Sequence, residues 1–138
     1  MTRRAMILTS LAFLLGAVLG RWLLPPLWGQ AQRAVLQTKD LKRVDLGSWC
    51  EGKEATIQLL EFGPGTSDKH YHPAHSFAYV LDGSENQKVQ GRATVTAKVG
   101  EVLYDGPGEI HETTNSSPAK VIIFRIIEKG KEVTTYVP

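Results

Sequence analysis

From Leu41 onward the apolar residues recur at every second position in short runs, and Gly, Pro, Asn and Asp separate the runs. Side chains alternate between the two faces of an extended strand, so a period of two predicts a β-rich fold with one face of each strand buried. The strands expected are 42–46, 55–62, 76–81, 92–99, 101–104, 112–114, 120–127 and 132–136. Turns are expected at Gly63-Pro64-Gly65, Asp82-Gly83-Ser84 and Gly106-Pro107-Gly108. No stretch after Gln32 keeps a 3.6-residue apolar stripe, and residues 32–38 read as a short helix or a leader. Many short strands at even spacing predict a sandwich or barrel. The run Val121-Ile122-Ile123-Phe124, followed by Ile126-Ile127, is apolar at both parities and predicts a strand covered on both sides. A second copy of the chain is the cover expected on the outside, as a homodimer.

At 138 residues the chain has room for one domain. Its first 31 residues differ from the rest. Arg3 and Arg4 precede an uncharged run at 5–20, then Arg21 and an aromatic, proline-broken patch through Trp28. A helix over 5–20 is about 24 Å long, short of the roughly 30 Å hydrocarbon core of a bilayer. The segment therefore reads as a hydrophobic export helix, with Gly29-Gln30-Ala31 as its cleavage site and a mature start near Gln32. The alternative is an uncleaved membrane tether through 5–28, with Trp22 and Trp28 at the interface. The adjacent arginines also fit a twin-arginine signal. Either way the folded part is expected outside the cytoplasm, periplasmic or secreted.

The 16 basic residues, less the three in that segment, leave 13 against 14 acidic ones, a net charge of −1. With no Lys/Arg cluster, no nucleic-acid partner is expected. Cys50 is the only cysteine, so no intramolecular disulfide forms, and it reads as a small packed residue.

All four histidines lie in His70-Tyr71-His72-Pro73-Ala74-His75 and at His111. Residues two apart on a strand share a face about 6.6 Å apart, so His70 and His72 can converge on one ion. Neutral imidazole suits Zn, Fe, Ni or Cu. His111 is the one histidine beyond the local cluster and the candidate third ligand.

These segments resemble the two motifs of the cupin superfamily. Gly65, His70, His72, Ser76 and Gly83 take the places of the first motif, and Gly100, Gly106, Gly108, His111 and Asn115 those of the second. The resemblance implies an all-β double-stranded β-helix, or jelly roll, that commonly carries a metal. It divides the chain into a targeting segment at 1–31, a leader at 32–54 and a cupin domain at 55–138. Ser76 stands where the family usually places a metal-binding Glu, and Gly106 where it places Pro.

What the resemblance implies is a centre of His70, His72 and His111 for a divalent ion such as Fe, Mn, Zn or Ni, with positions open to water or substrate. His75, Ser76 and Glu112 are candidates for a fourth ligand or a supporting contact, although strand parity turns His75 and Glu112 away from the ion. Glu61, Glu109 and Glu112 are the acids near enough in sequence to act as a base. Gln58 and Arg125 are candidates for the pocket lining, with an exposed strand position as the default reading of each. Two functions are expected: an oxygenase- or isomerase-like enzyme acting on a small molecule, or a non-catalytic binder of a small molecule or metal.

Overall fold

The computed structural model describes residues 33, 34 and 36–138. The targeting segment and its expected helix lie outside them. The described strands are β1 (Leu36–Asp45), β2 (Lys53–Phe62), β3 (Gly65–Thr66), β4 (His70–Tyr71), β5 (Ala74–Asp82), β6 (Ser84–Val89), β7 (Val95–Lys98), β8 (Val102–Asp105), β9 (His111–Asn115), β10 (Ala119–Glu128) and β11 (Thr135–Tyr136). All their named pairings are antiparallel and form two sheets, ordered β1-β2-β10-β5-β8 and β11-β4-β9-β6-β7, with β3 added beside β9. This is the two-sheet jelly roll that the alternation and the motifs predicted.

Several boundaries differ from the sequence reading. Residues 32–38 hold no described helix: β1 begins at Leu36 and runs along β2 from Leu36↔Phe62 to Asp45↔Glu54. The segment read as a leader thus supplies an edge strand. β6 was absent from the expected strands, and the strand expected over 132–136 is only two residues long.

The β1-β2-β10-β5-β8 sheet, the larger in residues because its strands are longer, turns alternate residues of β2, β5, β8 and β10 inward. Toward one end these are apolar: Leu60, Phe62, Ala78, Val80, Leu103 and Val121 pack into one cluster. Next to that cluster the inward positions become polar. The register Thr56↔Arg125, Arg125↔Ser76 and Ser76↔Asp105 sets a polar row across four strands, with Gln58 one inward step away. Gly83 is the hinge from one sheet to the other. Its φ of +71° disfavours any side chain, and a Cβ there would collide with the Pro118 carbonyl oxygen.

Candidate metal centre

Antiparallel pairing of β4 with β9 sets His70 directly opposite His111. His72 follows on the chain as β4 turns into β5, and its side chain is buried. The three rings enclose one point, with centroids 5.1 Å (His70–His72), 4.4 Å (His70–His111) and 5.1 Å (His72–His111) apart. One ligating atom from each lies within 4.8 Å of the others.

Each ring is held by its far nitrogen. Nδ1 of His70 bonds the Asp68 carbonyl at 2.7 Å, that of His72 the Val133 carbonyl at 2.6 Å, and that of His111 the Glu109 carbonyl at 2.9 Å. A carbonyl oxygen only accepts, so each Nδ1 carries a proton, and in a neutral ring so held Nε2 is the nitrogen with the lone pair. Metal-binding histidines are oriented in this way, through the nitrogen that does not meet the ion. Burial pulls the His72 pKa down to about 3, aided by the nearby Arg125 charge, and burial also lowers that of His70. Both rings are neutral at pH 7, the form that binds metal.

The centre opens on a cavity of about 190 Å³ that includes Gln58, Glu85, Gln87, Asp105, Thr113 and Arg125. Gln58 and Arg125, for which exposure was the default reading, are buried here. Arg125 donates from Nε to Ser76 Oγ at 3.0 Å, from Nη1 to Gln58 Oε1, and from Nη2 to His72 Nε2 at 3.4 Å. All three partners are neutral, and burial lowers the guanidinium pKa to about 10.

Two acids missed in the sequence face the same space. Glu85 is 3 % exposed, and burial, then the neighbouring Asp105 charge, raises its pKa to about 7. Asp105 is also raised by burial, against the pull of His111, and its Oδ2 lies 3.9 Å from His111 Nε2. Glu85 Oε2 and Asp105 Oδ1 are buried without a hydrogen-bond partner. The available signal was parity: residue 105 pairs with the inward position 76, and 85 shares a face with 87.

The other candidates lie elsewhere. His75 points out of β5, away from the three rings, and pairs with the Tyr104 hydroxyl at 2.8 Å. Glu112 faces away from His111 across β9, because adjacent strand residues take opposite sides. Ser76 does point inward, but its hydroxyl is engaged by Arg125. Glu61 pairs with Lys120, and Glu109 with Arg92. Glu109 touches the centre only through the backbone carbonyl that holds His111. Cys50, read as packed, is exposed.

The residues fit a divalent cation. Three imidazoles present unprotonated nitrogens, and a buried carboxylate beside them has an oxygen with no partner, which a cation would satisfy. An apolar or purely hydrogen-bonding pocket would not call for that set.

No curated protein matches the sequence. Solved structures match its fold. A cupin superfamily protein from Desulfitobacterium hafniense has a TM-score of 0.57 and 15% identity over 72% of this chain and 84% of its own. Recombinant oxalate oxidase in complex with glycolate gives 0.56 and 19%, over 75% and 55%. The DMSP lyase DddQ from Ruegeria pomeroyi gives 0.54 and 15%, over 60% and 43%. This chain thus spans less than half of the lyase and just over half of the oxidase, and at such identities the likeness is one of fold. The cupin domain family profile matches residues 58–127, from Gln58 on β2 through both histidine segments to Ile127 on β10, and the chain belongs to the cupin family.

Proposed function

We propose that this chain is a metal-dependent cupin that acts on a small molecule outside the cytoplasm, with its ion held by His70, His72 and His111. The observation that carries this reading is the common orientation of the rings, each Nδ1 tied to a backbone carbonyl so that each Nε2 is the nitrogen turned toward the shared centre. A bound divalent ion supplies Lewis-acid or redox chemistry to a ligand in the cavity. Arg125, whose hydrogen bonds go to neutral groups, offers positive charge to an acidic part of that ligand. Glu85, with a pKa of about 7, is matched to taking or giving a proton at neutral pH, which favours an enzyme over a passive binder. Among the fold neighbours, one is named as a lyase and one as an oxidase.

Export is supported by Arg3, Arg4 and the uncharged run at 5–20. A homodimer is supported by the outer face of the larger sheet, where Phe77, Tyr79, Leu81, Val102, Tyr104 and Phe124 are each at least 37% exposed. Phe77 lies between Tyr104 and Phe124, with tilted rings at centroid distances of 5.1 and 6.3 Å, making one continuous aromatic patch. Such a patch on a single chain marks an association surface.

Native mass spectrometry of untagged protein, recovered from fractionated cells that express the whole chain, tests all three parts. The expected species is a dimer of chains beginning near Gln32, found outside the cytoplasm, with about one divalent ion per chain. Chains that take up no ion after incubation with iron, manganese, zinc or nickel sink the metal centre. An intact amino terminus in the cytoplasmic fraction sinks export, and a monomer sinks the dimer. A co-purified small molecule that the loaded protein leaves chemically unchanged turns the reading to non-catalytic binding.

A further inference from the structure

The three-histidine reading leaves one buried group without a role. Asp105 ends β8 at 5% exposure; its Oδ1 has no hydrogen-bond partner, and its Oδ2 is 3.9 Å from His111 Nε2. We propose that Asp105 is the fourth protein ligand of the metal, a carboxylate moved by one strand from position 76, where the cupin motif carries its glutamate. The proposal rests on the three-histidine centre.

The register supports the displacement. Ser76 and Asp105 are directly paired across β5 and β8, and both point inward. Facing residues on neighbouring strands have Cβ atoms about 4.5–5.5 Å apart. A carboxylate at 105 therefore enters the part of the cavity that a glutamate at 76 would occupy. Two donors bound to one ion at about 2.1 Å each sit about 3.0–3.4 Å apart, for right and tetrahedral angles. From the observed 3.9 Å, Asp105 and His111 reach that separation with a side-chain shift of about 0.5–0.9 Å.

The contacts agree with the geometry. Ser76 Oγ accepts from Arg125 Nε at 3.0 Å, so the residue at the family's usual place is already committed. Of the other acids, Glu85 keeps Oε2 without a partner but has no histidine nitrogen within 4 Å among the described residues, and Glu112 faces away. Asp105 is the carboxylate found beside a ligand nitrogen.

The test is cobalt(II) binding to the metal-free protein as the cell exports it, read by titration and by the visible d–d spectrum. Asp105→Asn keeps shape and removes the anionic donor. It is expected to weaken cobalt binding at least about tenfold and to shift the spectrum, while Glu112→Gln, on the opposite face of β9 from His111, leaves both in place. Adding Ser76→Glu to Asp105→Asn is expected to recover most of the lost affinity. An unchanged affinity and spectrum in Asp105→Asn overturns the assignment, provided that His111→Ala abolishes binding. If His111→Ala also binds cobalt normally, the underlying centre fails instead. Should Asp105→Asn not fold, a crystal structure of the cobalt-loaded parent decides: an Asp105 oxygen at bonding distance supports the assignment, and one beyond about 3 Å from the ion refutes it.

Discussion

Replacing His111 with alanine is expected to leave the purified protein with less than a tenth of the metal held by the parent. His111 is 3% exposed and lies on β9, opposite His70, so no other imidazole among the described residues can take its place. Losing a supporting contact alone commonly costs a metal site about 10–100-fold in affinity, and losing a ligand should cost at least the upper end, about 3 kcal/mol. The effect should appear twice. Elemental analysis should find about one ion per parent chain and almost none in the variant. Added metal should also raise the melting temperature of the parent and not that of the variant, because a ligand stabilises the state it binds by about 4 kcal/mol at a thousandfold excess over Kd. Equal metal content in the two proteins would remove the centre.

A second large effect concerns the pH dependence of stability in the metal-free protein. Glu85 has its folded pKa raised from 4.5 to about 7, first by burial and then by the Asp105 charge. The folded state therefore holds a proton in this window that the unfolded chain has released. Stability from the protonated form is fully present below about 4.5 and is lost as pH rises through about 7. A displacement of about 2.5 units corresponds to about 3 kcal/mol. Glu85→Gln cannot ionise, so its unfolding free energy relative to the parent should climb by about that amount between pH 4.5 and pH 8. His70 and His72 are common to both chains, so their own titrations cancel in the difference. Denaturant unfolding at several pH values measures it, and parallel curves would show that Glu85 titrates normally.

The three histidines could be found from the sequence because spacing fixes their faces, and the motif glycines fix the turns that bring β4 and β9 together. Outward-facing His75 and Glu112 followed from the same parity. The hidden parts share a physical cause. Apolar alternation reveals a strand that buries apolar side chains, whereas β6 turns Glu85 and Gln87 inward and so carries no such signal. Asp105 was obscured likewise, as a polar residue at the inward end of an otherwise apolar strand. Only the second half of β1 was expected, as a strand over 42–46; its first residues were read as a leader because β1 is exposed along its whole length and buries no apolar face. The double-parity pattern of β10 did describe its setting in part: Ile122 and Ile126 are half-buried, but Phe124 stays open on the outer side.

The position of β10 has a consequence for how the protein comes into being. It is the middle strand of the larger sheet, between β2 and β5, although nearly all of the chain precedes it. Until residues 119–128 leave the ribosome, β2 and β5 have bare edges facing each other and the apolar cluster lacks Val121 and Ile123. Such dominance of distant pairings makes for slow, cooperative folding. A message cut short before this strand would not yield a weakened protein; it would yield a chain with no stable interior at all, and therefore one for proteases to clear.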